Sequence, residues 1–255
     1  MNELDRGPSD TRDPSEYTVS GDDQGTYRIV CAPFTKSLQD FQEAVTLVRS
    51  VEEIRRMFSV NTPRGVAMRG TPDQCAMAEW VFGELAKSSD TAPSRYQGRR
   101  EKDGVTEVLR LQNAKTPYEF QEIAITIRTI GRIRYLFNYT STSAIALRGT
   151  PSEAALATWL AGRLDDPAKP AAPEFQIPQS PDNIVRVFFL PQGMSVDEFQ
   201  QAVQFIRTRV GTTWVCTYNA PRALVMRGTS AQIALAQQLV EEQTQVATPP
   251  PSSAH

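Results

Sequence analysis

Arginine side chains that could bind a charged partner recur in this 255-residue sequence at one fixed distance. Arg69, Arg148 and Arg227 are each 79 residues apart, and each stands directly before glycine and threonine. A guanidinium group at such a place can pair with a carboxylate or a phosphate. These three arginines are therefore candidates for a contact with an anion or a partner. The simpler interpretation is that each arginine stem covers the edge of a sheet while its charged head stays in water.

Residues for catalysis or metal binding do not form a recognisable set. The single histidine, His255, is the last residue, and the cysteines Cys31, Cys75 and Cys216 have no regular spacing. This composition excludes Ser-His and Cys-His relays and His-ligated metals. It also predicts neither a disulfide framework nor a zinc site. We therefore expect no enzyme activity, no cofactor, no metal and no small-molecule ligand.

The charge and the hydropathy limit the classes of partner. A formal net charge of −2 does not favour nucleic-acid binding, which needs clustered lysine and arginine to neutralise phosphates. No run of 18 apolar residues occurs, so the sequence predicts no membrane span. The first residues lack the basic and apolar regions of a secretory signal. We therefore expect a cytoplasmic protein, with the periplasm as the alternative if the sequence is a mature form or begins further upstream.

The 79-residue spacing extends over three long repeats. It relates Phe41 to Phe120 and Phe199, and it holds without a gap through each repeat. The repeats are 27–87, 106–165 and 184–243. Two stretches rich in proline, serine and charge, 88–104 and 166–183, are predicted to be flexible linkers. The tails, 1–26 and 244–255, are predicted to be disordered.

Each repeat shows the pattern of a β-α-β-β-α unit. An apolar run precedes a first helix that begins with capping-box spacing, as in Ser195 three residues before Glu198. The last strand and helix meet in "AIALRGTPSEAALATWLAGRLD" (144–165). There Thr150 is predicted to cap the helix, and Gly149 to occupy a tight bend that a Cβ would hinder, or a positive φ. We predict α+β architecture: three tandem domains, each a three-stranded sheet with two helices on one face.

This unit resembles the small N-terminal repeat domain of secretins, the outer-membrane ring proteins of bacterial secretion and pilus systems. The resemblance rests on the strand-to-helix joint just quoted and covers all three repeats, without the secretin pore domain. It implies a non-enzymatic module of the periplasm that binds partners and packs into rings. The arrangement is also related to the KH fold of RNA-binding proteins, but the GxxG loop that clamps RNA in that fold does not occur.

Aromatic side chains complete the set of candidate interaction residues. Trp80 and Trp159 occupy equivalent positions in the last helix, whereas the third repeat has Gln238. A position that accepts glutamine is expected at the boundary of the core, where tryptophan either contacts a partner or lies across the sheet rim. Phe188 and Phe189 belong to "VRVFFL", a strand that is apolar on both sides, which predicts a sheet covered on both faces.

The cover of that third sheet is expected to be another repeat, a partner chain or the linker stretch "PEFQIP". Together these patterns favour a non-enzymatic protein-interaction or self-assembly protein. The resemblance would link it to a secretion or pilus system. The alternative is an RNA-binding protein that uses the KH-like shape.

Overall fold

The structure is a computed structural model that describes residues 15–18, 26–97, 104–168, 173–178 and 183–247. Within these ranges each repeat contains four strands and two helices, in the order predicted from the sequence plus one preceding strand. The first repeat contains β1 (Ser15–Thr18), β2 (Thr26–Cys31), α1 (Leu38–Val51), β3 (Arg56–Val60), β4 (Gly65–Gly70) and α2 (Pro72–Leu85). The second contains β5 (Ser94–Gln97), β6 (Val105–Arg110), α3 (Pro117–Gly131), β7 (Tyr135–Tyr139), β8 (Ala144–Gly149) and α4 (Pro151–Asp165). The third contains β9 (Glu174–Gln176), β10 (Ile184–Phe189), α5 (Val196–Val210), β11 (Val215–Tyr218), β12 (Ala223–Gly228) and α6 (Ser230–Ala247).

Three antiparallel sheets with the same strand order confirm the predicted α+β class. The orders are β1-β2-β4-β3, β5-β6-β8-β7 and β9-β10-β12-β11. The predicted three strands are present in each sheet, and a fourth lies beside the first of them. Since an open strand edge offers unpaired N–H and C=O groups, a short extended segment there satisfies backbone hydrogen bonds that would otherwise face water.

These added strands lie in stretches that the sequence predicted to lack structure. β1 falls in the predicted disordered tail, and β5 and β9 fall in the two predicted linkers. At the other end, α6 extends to Ala247, past the predicted start of the C-terminal tail. Residues 88–93 and 166–168 of the linkers form turns and irregular backbone, and most of the remainder of those stretches lies outside the described residues. The domain boundaries themselves stay a prediction.

The predicted capping residues begin the helices as expected. Thr150 Oγ1 accepts a hydrogen bond from Glu153 N at 3.2 Å, and the Glu153 carboxylate accepts one from Thr150 N at 2.7 Å. The first helices of repeats one and two differ slightly. There the acidic residue accepts from the amide one position before the cap, at Lys36 and Lys115.

Gly149 is required for a reason other than a positive φ, so that part of the expectation is wrong. Its φ lies outside the left-handed region, and a Cβ there would stand 2.6 Å from Glu153 Oε2. The glycine therefore leaves room for the side chain that closes the capping box. A similar approach occurs at Gly228, where a Cβ would meet Gln232 Oε1 at 2.7 Å.

The backbone divides into two compact units, and the boundary between them lies within the second repeat. One unit combines the first repeat with the strands of the second, and the other combines most of the second repeat's helical residues with the third repeat. Each unit contains its own buried apolar cluster. Each is described separately below.

Candidate interaction surfaces

The surface that matters most is one face of each sheet, which we call the outer face and define by Phe58 in the first sheet and by its equivalents Phe137 and Cys216 in the other two. In the first unit, the outer face of the second sheet is buried under α1 and α2 of the first repeat. Val108, Tyr139, Ala144 and Ala146 belong to the same apolar cluster as the core residues of the first repeat. The helices of the first repeat thus lie between two sheets.

Polar contacts fix this packing in the first half of α1 and just beyond its C-terminal end. Glu43 Oε1 accepts hydrogen bonds from the backbone N and the Oγ1 of Thr140, both at 2.8 Å. Beyond the other end of the helix, Glu53 accepts from the Tyr135 hydroxyl at 2.6 Å and forms an ion pair with Arg148. The Arg148 guanidinium also lies over the Tyr135 ring, 4.6 Å from its centroid. Hydrogen bonds from Tyr135 and Arg148 lower the pKa of the Glu53 carboxyl.

A buried ion pair joins the end of α2 to β6. Arg110 Nη2 on β6 lies 3.0 Å from Glu84 Oε2 and 2.7 Å from the Glu84 carbonyl oxygen. Both side chains are almost fully removed from solvent. Burial raises the pKa of Glu84, but hydrogen bonds from Lys87, Ser94 and Arg110 outweigh it, so the pKa is lowered overall.

Glu52 is a second buried acid at this packing surface, and fewer hydrogen bonds offset the cost of burying its charge. Its side chain has no exposure, one carboxylate oxygen accepts from Thr106 Oγ1 at 3.2 Å, and the other has no partner among the described residues. Burial raises the pKa of Glu52 to about 7, against the opposing effects of Arg148 and Thr106.

The second unit repeats the same packing with different chemistry. There α3 lies against β11 and β12, on the outer face of the third sheet. Glu122, the equivalent of Glu43, binds the amide groups of Asn219, the equivalent of Thr140. Arg132 replaces Glu53 and lies over the Trp214 ring at 5.2 Å from the centroid. Equivalent positions of the repeat thus make their contacts with different side chains in the two units.

The remaining contacts at equivalent positions of the second unit are made by one arginine on β12 and one on α4. Arg227, the counterpart of Arg148, donates from Nη1 to the Ile130 carbonyl and from Nε to Asn183 Oδ1, both at 2.8 Å. Arg163 stands where the first unit has Glu84, and its guanidinium lies 5.3 Å from the centroid of the Phe189 ring. Arg148 and Arg227, two of the predicted candidates, therefore contact the end of a preceding first helix.

The two candidate tryptophans contact the added strands. Trp80 on α2 stacks at a tilt on Tyr96 of β5, with centroids 5.4 Å apart, and Trp159 on α4 stacks likewise on Phe175 of β9 at 5.7 Å. Tyr96 and Phe175 were missed by the sequence reasoning. Their signal was present, because Tyr17, Tyr96 and Phe175 follow the same 79-residue spacing.

The candidate phenylalanines of β10 point to opposite sides. Phe188 is 6% exposed and belongs to the apolar cluster of the third repeat, whereas Phe189 is half-buried beneath Arg163. Val185 and Val187, on the Phe189 side of the strand, are buried. On that side α3 packs on the neighbouring strand β12, and Arg163 of α4 lies over Phe189. The "PEFQIP" stretch pairs at the strand edge as β9.

The outer face of the first sheet differs from the other two. Phe58 is 71% exposed, whereas its equivalents Phe137 and Cys216 are partly buried. Tyr27 and Ile29 of the same face are half-buried, and their equivalents in the second and third repeats are buried. Arg69, the third candidate arginine, lies over the Tyr27 ring at 5.3 Å from the centroid.

The helix face of the third repeat is the other surface that differs from its equivalents. Leu235 is 39% exposed, whereas its equivalents Met77 and Leu156 are 5% and 2% exposed. Arg209 stands where the earlier repeats bury Val51 and Ile130, and its guanidinium covers the Phe205 ring at 4.9 Å. Gln238 replaces the two tryptophans.

The described residues contain no group of three or more His, Cys, Asp or Glu side chains that could hold a metal ion. Across the same ranges, no helix has both the length and the apolar character needed to cross a membrane.

Comparison with known proteins gives distant structural similarity only. No protein-family model and no curated protein matches the chain. Among solved structures, Aeromonas hydrophila ExeD matches with 13% identity and a TM-score of 0.21, over 88% of this chain and 42% of that chain, so this chain spans less than half of ExeD. The N-terminal domain of the secretin XcpQ from Pseudomonas aeruginosa gives 17% identity and 0.25, over 64% and 76%. A structure of XcpQN012 gives 15% identity and 0.26, over 91% and 99%. At such TM-scores these similarities carry no argument about function.

Proposed function

We propose that this chain is a non-enzymatic protein-interaction or self-assembly protein, and that the outer face of the first sheet is its recognition surface. The observation that carries the proposal is the exposure of Phe58, whose equivalents are covered by the helices of a preceding repeat. A surface that is buried twice within one chain and left open once is suited to receive a further helix-bearing partner.

The proposed setting is a bacterial secretion or pilus system. Support comes from the resemblance of the repeats to secretin N-terminal domains, which was recognised at the strand-to-helix joint. In that setting the stacking of helices against a neighbouring sheet would connect protein modules rather than position a substrate.

Site-specific photo-crosslinking in cells tests the proposal. A photoreactive phenylalanine derivative at position 58 is compared with the same group at position 125, because Phe58 and Ile125 are both exposed apolar residues. We expect crosslinks to protein from position 58 well above those from position 125. Equal yields at both positions, crosslinking only within the same chain, or a nuclease-sensitive adduct to RNA would contradict it; the last result would favour the RNA-binding alternative.

A further inference from the structure

We propose that the contact between the helices of the first repeat and the second sheet is a pH-sensitive joint, closed while Glu52 holds its proton and loosened once Glu52 is ionised. The joint is the packing of α1 and α2 on the outer face of the second sheet, within the first unit. It is a different surface from the proposed recognition surface around Phe58, so the inference goes beyond the proposed function and does not depend on it.

Glu52 touches both helices of the joint and the second sheet. It directly follows α1, and its backbone N–H donates to the Val48 carbonyl at 3.0 Å. Its own carbonyl accepts from Gln74 Nε2 on α2 at 3.1 Å, and its carboxylate accepts from Thr106 Oγ1 on β6 at 3.2 Å. The residue has no exposure. Water can therefore reach the carboxylate only when these elements separate.

Few hydrogen bonds stabilise a charge on Glu52. Thr106 donates to one carboxylate oxygen, and its hydroxyl also lies 4.0 Å from Met77 Sδ of α2. The other carboxylate oxygen has no partner among the described residues. A carboxylate has about four acceptor sites, and an ionised group that is buried without matching donors is unfavourable. Burial therefore raises the pKa of Glu52 to about 7, which favours the neutral form in the closed joint.

The charged neighbours of Glu52 do not offset its burial. Arg148 on β8 is the cation that favours ionisation, but it already forms the ion pair with Glu53 and lies over the Tyr135 ring. Beyond the effect of burial, the like charge of Glu53 raises the pKa of Glu52 further. Hydrogen bonds from Tyr135 and Arg148 lower the pKa of Glu53, and Arg134, just before β7, adds to that effect. The contacts from α2 and β6 come from uncharged side chains. Glu52 is thus the acid of the adjacent pair that lacks a cation of its own.

The second unit shows that this packing does not require an acid. There Gly131 stands at the position of Glu52, and Val185 of β10 stands at the position of Thr106. Both residues are buried, and neither has a polar side chain. A polar pair in one joint thus corresponds to two non-polar residues in the other. Such departures from the simplest packing are expected at functional sites. The first joint can respond to pH at this position, whereas its counterpart cannot.

The direction of the response follows from the two states of the joint. In the closed joint the pKa of Glu52 is about 7, whereas in water a glutamate carboxyl has its ordinary value of 4.5. Below pH 4.5 the group is neutral in both states and does not oppose closure. As the pH rises from 4.5 to 7, opening releases a proton and becomes progressively easier. By pH 8 the equilibrium should shift towards the open state on the order of a hundredfold. Since Glu52 lies in the joint, we expect a local separation there.

Methionine oxidation by hydrogen peroxide measures the opening in the full chain. Met77 lies in the joint and is 5% exposed, whereas Met68 lies in the core of the first repeat and Met226 in that of the third. Peptide mass spectrometry gives the rate of sulfoxide formation at each residue. At pH 8, Met77 should oxidise at least about tenfold faster in the parent than in Glu52→Gln, and at pH 4.5 the two rates should agree within about twofold. Glu241→Gln, the same substitution at an exposed acid of α6, should behave as the parent.

The other outcomes overturn the inference. Equal Met77 rates in the parent and Glu52→Gln chains at pH 8 would show that ionisation does not open the joint. A difference of the same size at pH 4.5 would assign the effect to packing rather than to the proton. If Met68 or Met226 accelerates together with Met77, a whole repeat or the whole chain unfolds, and the joint is not the responsive element. Crosslinking from position 58 is a separate measurement, so the failure of one proposal leaves the other standing.

Discussion

The two units make two contacts at equivalent positions but form them from different side chains. In the first unit, Glu53 meets Arg148 and Glu84 meets Arg110, so the contacts are ion pairs. In the second unit, arginine lies over an aromatic ring at both equivalent positions. The backbone arrangement therefore tolerates either chemistry, provided that a long side chain reaches the neighbouring sheet.

This difference has a consequence for specificity. If α3 took the place of α1 on the second sheet, Arg132 would stand in place of Glu53 and would face Arg148, a residue of the same charge. Mismatched like charges disfavour such wrong pairings. The changing chemistry thus specifies which helix pair lies on which sheet, while the shared geometry accounts for the stacking itself.

Breaking the buried ion pair of the first unit should have the largest effect. Arg110→Ala leaves Glu84 buried with only Lys87 and Ser94 to compensate, and we expect a loss of about 3 kcal/mol in the free energy of unfolding. Urea denaturation of the full chain measures it. Replacing both partners, with Arg110→Met and Glu84→Leu, should restore most of the loss; a double variant as unstable as the single one would show that desolvation of Glu84 is not the cause.

The pH dependence should distinguish the first unit from the second. The pKa of Glu52 is about 7 in the folded chain and near 4.5 when unfolded, so the folded state holds the proton more tightly. The stability that this group contributes is present below pH 4.5 and is lost as the pH rises towards 7 and above. Glu52→Gln removes that loss and should stabilise the chain at pH 8 by up to about 3 kcal/mol.

At pH 4.5 the same substitution should have little effect, which provides the internal control for Glu52. The equivalent position in the second unit is Gly131, which does not titrate. Urea denaturation at the two pH values measures both. A Glu52→Gln chain with the same pH slope as the parent would contradict the assignment.

The smallest effect is expected where the second unit has its cation–π contact. Arg163→Ala removes the guanidinium from the Phe189 ring and should cost about 1 kcal/mol. Arg163→Lys, which keeps a charge but not the planar group, is the matched variant and should retain part of the contact. A loss as large as that of Arg110→Ala would show that the two units do not differ in the way their chemistry indicates.

The sequence predicted the features that depend on near neighbours. Capping at Thr150 and Ser195 needs only residues three positions away, and the hydrogen bonds are present at both sites. The added strands were missed because β9 has only three residues with one aromatic, and so short a segment has no measurable alternation. Their pairing comes from the edge of the neighbouring strand rather than from their own composition.

The order of three strands and two helices in each repeat, the helix caps and the threefold repetition were thus determined by the sequence alone, since local hydrogen bonds and apolar periodicity decide them. Only the tertiary structure decided which copies of a repeated residue are exposed and which are buried. Phe58 and Phe137 have the same type and the same place in their repeats, yet only Phe137 is covered. The difference arises because the residues that bury Phe137 lie on α1, far away in the sequence. Burial by such distant segments leaves no mark on the local pattern of either phenylalanine.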